Sequence, residues 1–264
     1  MSSLKNRKVI VTGAADGIGR ALVLAFAKEG AQVAGCSRSA ERLESLEKEI
    51  KGSGHIFFAT DLSNAEGISE FFNKTQETFS GIDILVNNVG AVLKLGNFLE
   101  VSDQDWENSF QLNLMSAVRL CRLSIPALRK SSCPRIINIS SIAASHPQEI
   151  FPHYSAMKAG MSNLTVSLAQ TLAEDGICVN SISPGPVWSQ SWEKEAKAQA
   201  QASGQSFEQV KNDIMGQTSI NIPLNRMGMP EDLTGLTLFL ASEQSAWITA
   251  TNFVIDGGLT RNPF

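Results

Sequence analysis

The stretch Thr12-Gly13-Ala14-Ala15-Asp16-Gly17-Ile18-Gly19 decides the fold, because it joins the apolar run Lys8 to Thr12 to the helical stretch Arg20 to Glu29. A strand, a glycine-rich loop and a helix in this order are typical of the first turn of a dinucleotide-binding βαβ unit. The glycines permit a tight turn and a close approach of the backbone to a pyrophosphate, and the helix N-terminus supplies free N–H groups. Taken alone, the pattern also fits a glycine-rich turn without a ligand.

Short β-branched runs alternate with longer amphipathic segments along the rest of the chain. Near-continuous apolar strands separated by helices predict an α/β fold with a parallel sheet and helices on both faces. Right-handed crossovers then give a doubly wound, seven-stranded Rossmann fold, and we expect one domain over residues 1–264. The predicted strands are Lys8 to Thr12, Gln32 to Cys36, His55 to Thr60, Asp83 to Asn87, Arg135 to Ser140, Ile177 to Ile182 and Asn252 to Asp256.

One segment interrupts the alternation. Trp188 to Asn221 is rich in Gln, Ala, Glu and Lys and lies between the sixth and seventh predicted strands. Because ligands bind at the carboxyl ends of parallel strands, an insertion over residues 188–221 is typical of a substrate lid, and we expect two helices with connecting loops. A contact between subunits is the alternative role.

The composition is that of an ordinary globular protein, with 43% hydrophobic and 18% charged residues. A formal net charge of −4 without long charged runs argues against nucleic acid as a partner. No apolar run approaches the roughly 18 residues of a membrane span, and Met1 to Lys8 lacks the apolar core of a signal peptide, so we expect a cytoplasmic protein without membrane contact. The cysteines are widely spaced in apolar surroundings, which predicts buried free thiols: Cys36, Cys121, Cys133 and Cys178.

The end of the second predicted strand bears on the choice between NAD and NADP. Where an acidic residue would bind the ribose 2′-hydroxyl of NAD, the chain has Ser37 and Arg38. A hydroxyl and a guanidinium suit a 2′-phosphate, although Asp16 near the same pocket would weaken phosphate binding. We therefore expect NADP(H), with NAD(H) as the alternative. The explanation of Arg38 that involves no ligand is a solvated residue at a helix start.

Tyr154 and Lys158 lie four residues apart at the start of a predicted helix, so their side chains can approach the same ligand. A tyrosine titrates near pKa ~10, and a neighbouring ammonium favours the phenolate and lowers that pKa. Ser141 follows an apolar strand, and its hydroxyl can hydrogen-bond a substrate oxygen as charge develops there. Asn113 lies in the middle of a helix, which is unfavourable for asparagine unless its amide has a task.

These pieces, in this order, resemble the short-chain dehydrogenase/reductase superfamily, and the similarity extends from Lys8 to Gly258. The resemblance implies that Tyr154 exchanges a proton with the substrate oxygen, while Lys158 lowers the pKa of Tyr154 and holds the nicotinamide ribose. It also implies that Ser141 orients the substrate and that Asn113 holds a helix bulge and a water for a proton relay. Further matching pieces are Asp61-Leu62, Asn87-Asn88-Val89-Gly90, Pro184-Gly185-Pro186-Val187 and Asp256-Gly257-Gly258.

The resemblance further implies a cofactor site in which Asp61 and Leu62 line the adenine pocket and Val187 with Ser189 holds the carboxamide. The expected cofactor-binding residues are Gly13, Asp16, Gly17, Ile18, Gly19, Ser37, Arg38, Asp61, Leu62, Asn88, Gly90, Tyr154, Lys158, Pro184, Gly185, Val187 and Ser189. Two residues depart from the family's pattern, with Val89 in place of Ala and Ala250 in place of Gly. We expect both departures to affect packing more than chemistry.

The predicted reaction is reversible hydride transfer between NADP(H) and a ketone or secondary alcohol, as in a carbonyl reductase, without a metal. The predicted pocket walls, Ile142 to Ile150, Leu93 to Phe98, Trp188 and Trp192, are apolar and aromatic. They favour a ketone or a 3-oxoacyl thioester over a heavily hydroxylated sugar. A catalytically silent dinucleotide-binding sensor is the alternative from another class, and the resemblance implies a homo-oligomer, either a tetramer or a dimer.

Two groups of charged or titratable residues have a plain structural explanation. His146 and His153 lack a third metal ligand at useful spacing, so we expect them on the surface or at the pocket rim. A basic cluster on the fourth predicted helix suits an acyl-carrier partner, but its default interpretation is a solvated helix face. Its members are Arg119, Arg122, Arg129 and Lys130.

Overall fold

A computed structural model describes residues 4–261 and contains one parallel sheet with the strand order β3-β2-β1-β4-β5-β6-β7. The chain begins at the centre with β1, runs outward to β3, returns to β4 beside β1, and then runs outward to β7. The strands are β1 (Lys8–Thr12), β2 (Gln32–Ser37), β3 (Ile56–Ala59), β4 (Ile84–Asn87), β5 (Arg135–Ile139), β6 (Cys178–Pro184) and β7 (Asn252–Ile255). The predicted doubly wound, seven-stranded sheet is confirmed.

The helices connect successive strands and cover both faces of the sheet. They are α1 (Gly17–Lys28), α2 (Ala40–Glu49), α3 (Ala65–Thr78), α4 (Asp103–Phe110), α5 (Ser116–Leu128), α6 (Pro152–Leu172), α7 (Gln190–Ser203), α8 (Phe207–Ser219) and α9 (Thr234–Ala241). A π-helical turn, Gln111–Met115, joins α4 to α5.

Neighbouring strand residues point to opposite faces, which divides the hydrophobic core into two clusters. Val9 and Val11 of β1 pack with α1, α2 and α9, whereas Ile10 between them packs with α3, α5 and α6. All three side chains are fully buried. The apolar runs that predicted the parallel sheet therefore reflect burial on both faces.

The first helix begins earlier than predicted, at Gly17 instead of Arg20. Asp16 is the N-cap, and its carboxylate oxygen Oδ1 accepts from the Gly17 N–H at 2.6 Å. A Cβ at Gly19 would lie 2.0 Å from the Gly13 carbonyl oxygen. The later glycines of the loop thus form the first helical turn, because the helix packs against the strand too closely for a side chain.

The insertion after β6 forms the two predicted helices, α7 and α8, joined by a short turn in which Gly204 adopts a φ of 72°. The start of the insertion meets the chain that follows it at a short ladder. The Trp188 N–H donates to the Gly228 carbonyl at 2.9 Å, and the Gly228 N–H donates to the Pro186 carbonyl at 2.9 Å. The base of the insertion is therefore tied together beside the end of β6.

Ala250, which stands in place of the family's glycine, affects the backbone conformation. Its φ is 61°, in the left-handed region, and its N–H donates to the Val179 carbonyl at 2.8 Å. A Cβ is unfavourable in this conformation, at a cost of roughly 1–2 kcal/mol. The alanine therefore strains the backbone at the turn before β7.

Ala250→Gly is expected to raise the free energy of unfolding by about 1 kcal/mol, since glycine adopts a positive φ without strain. For a chain of this size the melting temperature should rise by about 2–4 °C in a thermal unfolding scan. Ala198→Gly, at an exposed position inside α7, is the control and should lower stability instead. A lower melting temperature for Ala250→Gly would contradict the assigned strain.

All four cysteines are free and buried, as predicted. Burial raises the pKa of the Cys36 and Cys121 thiols to about 12. No helix within residues 4–261 is long and apolar enough to cross a membrane.

Candidate active site

Tyr154 lies in the first turn of α6 at the carboxyl edge of the sheet, with its ring against that of Phe151 at a centroid distance of 5.8 Å. Burial raises the pKa of Tyr154, and a hydrogen bond with Ser141 opposes this rise. Ser141 follows β5, where its hydroxyl also accepts from the Ala143 N–H at 3.1 Å. The two hydroxyl groups are thus close enough to bind one substrate oxygen.

Lys158 is 2% exposed, and its Nζ donates to the carbonyl of Ile139, the last residue of β5, at 2.8 Å. The Nζ lies 5.7 Å from the centroid of the Tyr154 ring. Burial lowers the pKa of Lys158 to about 8. The Ser141 hydrogen bond is what opposes the effect of burial on the Tyr154 pKa here, while the Lys158 ammonium donates to the Ile139 carbonyl. The lowering of the Tyr154 pKa by Lys158 stays a prediction.

Asn113 is fully buried within the π-helical turn between α4 and α5. Its Oδ1 accepts from the Ala91 N–H at 2.8 Å, and its Nδ2 donates to the Ala91 carbonyl and the Ser109 hydroxyl, both at 3.1 Å. The helix bulge implied by the family resemblance is present. The task of the amide here is to fasten the loop after β4 to the helix.

Gly90 lies between these groups. A Cβ at this position would approach the Lys158 Nζ at 2.9 Å and the Asn113 Oδ1 at 3.0 Å. Both distances are shorter than ordinary contacts of a side chain. A glycine is therefore required for Lys158 and Asn113 to share this corner of the site.

A chain of buried polar side chains underlies the site and was missed in the sequence. The Asn87 amide donates to Asn138 Oδ1 at 2.8 Å, and the Asn138 amide donates to the Thr165 hydroxyl at 2.9 Å. The chain links β4, β5 and α6. Gly90 follows β4, Ser141 follows β5 and Tyr154 lies in α6. In the sequence, this chain is indicated by one asparagine in each of two neighbouring apolar strands.

The glycine-rich loop is fastened to the loop after β4. The Thr12 hydroxyl accepts from the N–H groups of Asn88 and Val89 at 2.9 Å, and the Asn88 amide donates to the Thr12 carbonyl at 2.8 Å. A Cβ at Gly13, which has a φ of 66°, would lie 3.0 Å from the Asn88 Nδ2. Asn88 thus holds the two loops that would flank a cofactor.

The outer face of the loop fits a pyrophosphate. Gly17 has a φ of 48°, and a Cβ there would contact only the Ser189 Cβ, at 3.7 Å. In the first turn of α1, the Gly17 N–H is bound by Asp16, whereas the N–H groups of Ile18 and Gly19 have no partner within the helix. Free N–H groups on an open, glycine-lined surface are what phosphate binding requires.

Arg42 was not predicted from the sequence as a residue near the expected 2′-phosphate. Its Nη1 lies 3.1 Å from Asp16 Oδ2 and forms an ion pair. Arg38 is exposed and makes no ion pair within residues 4–261, and Ser37 accepts a hydrogen bond from the Ser39 N–H at 3.4 Å. The acidic group that was expected to weaken phosphate binding is therefore neutralised by a neighbouring helix.

The remaining expected cofactor residues follow the ends of β3 and β6. Asp61 accepts from the Ser63 N–H at 2.9 Å, and Leu62 is 3% exposed within the core, so only its backbone can face a ligand. Pro184 ends β6, and Gly185 is in close contact with Asp256 after β7. Val187, paired with Gly228, and Ser189 lie where the insertion starts.

The two histidines differ in their environment. His146 is exposed, as predicted, and its Nδ1 lies 3.0 Å from the Ser145 hydroxyl. The prediction of a surface or rim position for His153 is wrong, because this residue faces α4 and is fully buried against Trp106, with ring centroids 6.1 Å apart. Burial lowers the pKa of His153. The described part of the chain holds no group of three residues that could bind a metal.

Two members of the predicted basic cluster bind neighbouring side chains, and the other two are exposed to solvent. Arg119 donates to Gln111 at 2.7 Å, and Arg129 pairs with Asp175 at 2.9 Å. Arg122 and Lys130 are exposed.

An apolar rim lies on two loops next to the site in the chain. It combines the loop after β4 with the loop before α6, which are joined by a hydrogen bond of 2.9 Å from the Gly96 N–H to the Ile150 carbonyl. The exposed apolar side chains of this rim are Val92, Leu93, Leu95, Phe98, Leu99 and Ile150.

Comparisons with known proteins show the family and the fold of this chain. A family model described as enoyl-(acyl carrier protein) reductase matches residues 13–260. The chain is 32% identical over 260 residues to the uncharacterized oxidoreductase YvrD of Bacillus subtilis, with 98% of each chain covered. It is 32% identical over 258 residues to the 3-oxoacyl-acyl-carrier-protein reductase FabG of Thermotoga maritima, with 97% of this chain and 98% of the relative covered. The structure of L-sorbose reductase from Gluconobacter frateurii, complexed with NADPH and L-sorbose, matches with a TM-score of 0.90 at 30% identity, over 99% of this chain and 100% of that one.

Proposed function

Because the chain belongs to the short-chain dehydrogenase/reductase superfamily, we propose that it is an NADP(H)-dependent carbonyl reductase. It transfers a hydride reversibly between nicotinamide and a ketone or secondary alcohol. The observation that carries this proposal is the shared corner in which Ser141 hydrogen-bonds Tyr154 while Gly90 leaves room for Lys158 and Asn113. A hydroxyl pair beside a buried ammonium suits proton transfer at a carbonyl oxygen.

The residues of this chain supply the proton and the positioning, and the bound cofactor would supply the hydride. In the direction of reduction, the Tyr154 hydroxyl donates its proton to the substrate oxygen while the Ser141 hydroxyl donates a hydrogen bond to the same atom. The Lys158 ammonium, below the ring, stabilises the phenolate that remains. Asn113 is a positioning residue, since both atoms of its amide hold the backbone of Ala91.

NADP(H) is favoured by the charges at the end of β2. The Arg42 guanidinium neutralises Asp16, which leaves Arg38 exposed at the strand end for a 2′-phosphate. The similarity to an L-sorbose reductase complexed with NADPH also supports this cofactor. NAD(H) remains the alternative.

Arg38→Leu is expected to raise the dissociation constant of NADPH about tenfold, the effect of losing one charge-assisted hydrogen bond, and to leave that of NADH within about twofold. Isothermal titration calorimetry with both cofactors measures this. Arg122→Leu, a matched change at an exposed position on α5, should alter neither constant. Equal weakening of both cofactors by Arg38→Leu would show that Arg38 does not hold the 2′-phosphate.

The apolar rim favours a ketone with an extended apolar substituent as substrate. A 3-oxoacyl thioester is the second candidate, supported by the same rim and by the similarity to the reductase FabG. A polyol would bury little apolar surface against these six exposed apolar side chains, although one similar structure is a complex with L-sorbose.

A panel of ketones, 3-oxoacyl thioesters and sugars, each with NADPH and with NADH, tests the proposal through the absorbance of the reduced nicotinamide. We expect turnover with NADPH and apolar carbonyl compounds. Tight NADPH binding without turnover on any substrate would instead indicate a catalytically silent sensor. Preferential reduction of sugars would contradict the proposed substrate class.

We also propose a homo-oligomer, a tetramer or a dimer, in the cytoplasm. Trp247 is 99% exposed next to the edge strand β7, whose Val254 is also exposed. A second copy would cover these apolar groups, and buried free thiols suit a reducing compartment. Light scattering should give the mass of two or four chains.

A further inference from the structure

A cavity of about 440 Å³ lies between the glycine-rich loop, α2 and the insertion helix α7. Its volume is within the range of small-molecule sites, and it does not include Tyr154 or the other proposed catalytic residues. Its lining is mostly charged: Ala15, Asp16, Arg20, Arg42, Gln190, Glu193, Lys194 and Lys197. The insertion helix α7 therefore faces the glycine-rich loop and α2.

The cavity has an excess of positive charge. Four cations and two carboxylates line it, so positive charges exceed negative ones by two. Lys197 is paired with Glu193 at 2.5 Å and Arg42 with Asp16 at 3.1 Å. Arg20 pairs outward with Glu49 at 2.6 Å. Such a lining selects an anionic ligand.

Lys194 is the cation of this cavity that has no ion pair within residues 4–261. It is exposed on the first half of α7, the helix that starts directly after Ser189. The Ser189 Cβ lies 3.7 Å from the position of a Cβ at Gly17, so α7 begins beside the glycine-rich loop. A lysine on a flexible stem at this position can reach a phosphate held on the opposite wall.

We propose that Lys194 is a specificity-determining residue that binds the 2′-phosphate of NADP(H) from the insertion. This inference rests on the proposed function. The pyrophosphate is assigned to the N–H groups at the start of α1, whereas Arg42, which lines the cavity, lies on α2, the helix that follows Arg38. The phosphate that Lys194 meets across this cavity is therefore the one that distinguishes NADPH from NADH.

The contact has a consequence for α7. When the 2′-phosphate bridges Lys194 and the wall formed by α1 and α2, it holds the insertion against the body of the protein. NADH lacks this phosphate and cannot form the bridge. NADPH should therefore protect the connection between α7 and α8, at residues 203–206, from proteolysis more than NADH does.

Calorimetric titration of Lys194→Met with NADPH and NADH tests the proposal without any measurement of turnover. We expect a dissociation constant for NADPH raised about tenfold and one for NADH within about twofold of wild type. Lys194→Arg should retain NADPH binding. Lys48→Met, which removes an exposed lysine on α2 outside the cavity, is the matched control and should change neither constant.

Unchanged NADPH binding in Lys194→Met would overturn the proposal, as would equal weakening of NADPH and NADH, which would place Lys194 on the pyrophosphate. Digestion with proteinase K gives the second measurement. The extra protection by NADPH should disappear in Lys194→Met, and its persistence would also overturn the proposal. The wild-type titration tests the proposed cofactor independently of the variant. A lower dissociation constant of wild type for NADH than for NADPH would refute the proposed use of NADP(H), whatever Lys194→Met shows.

Discussion

Tyr154→Phe is expected to lower kcat for carbonyl reduction about 10³-fold, because the variant keeps the ring but has no proton to give to the substrate oxygen. The dissociation constant of NADPH should stay within about twofold of wild type, since the proposed phosphate contacts lie elsewhere. Single-turnover measurements with excess enzyme separate this loss of chemistry from changes in binding. A variant that keeps wild-type kcat would refute the role of Tyr154 as proton donor.

The composition makes this experiment unusually direct. The sequence contains one tyrosine, so the near-ultraviolet absorbance of phenolate reports Tyr154 without overlap from other tyrosines. In the protein without cofactor, the pKa of Tyr154 should lie above its ordinary value of 10, because burial raises it. Ser141→Ala should raise this pKa further, since the opposing hydrogen bond is lost. A fall in the pKa would contradict the assigned hydrogen bond.

Lys158→Met is expected to lower kcat/KM for reduction about 10²-fold and to abolish the alkaline decline of the rate. In the wild type, Lys158 loses its charge as the pH rises through about 8, and the phenolate left by proton transfer is then no longer stabilised. The rate of reduction by wild type should therefore fall above this pH. A pH–rate profile from about pH 6 to about pH 10, an interval that includes the pKa of Lys158, measures both effects.

Stability should change with pH in the opposite direction. The pKa of Lys158 is about 8 in the folded protein and 10.5 as its ordinary value, so the unfolded state binds more protons between these limits. The free energy of unfolding therefore receives a contribution from Lys158 that rises from pH 8 to 10.5. Urea unfolding of wild type and Lys158→Met across this interval isolates that contribution. Parallel pH profiles for the two proteins would contradict the lowered pKa.

The sheet could be predicted from the sequence because both of its faces are covered. Each strand is an almost continuous apolar run, and this pattern is distinct from the amphipathic period of the helices. The ends of several strands differ from the predicted ones by one or two residues. The strand β6, for example, extends to Pro184 because pairing with β7 continues to that residue.

The positions of individual side chains were harder to predict from the sequence than the sheet, because they depend on how the helices and strands pack. The pairing of Arg42 with Asp16 arises only when α2 packs next to the glycine-rich loop. His153 and Tyr154 are neighbours in the sequence, yet the turn of α6 directs His153 into the contact with α4. The positive φ of Ala250 is indicated by the glycine of the family's pattern and not by alanine itself, a residue type that favours helices.

The short ladder between Pro186 to Trp188 and Gly228 has a consequence for protein engineering and for the evolution of substrate range. Because the start of the insertion is fastened to the chain that follows it, the residues between these two points form a cassette with adjacent attachment points. An exchange of this cassette for that of another reductase should leave the sheet and the Tyr154 corner in place. New substrates can then be acquired by replacing one continuous piece of chain.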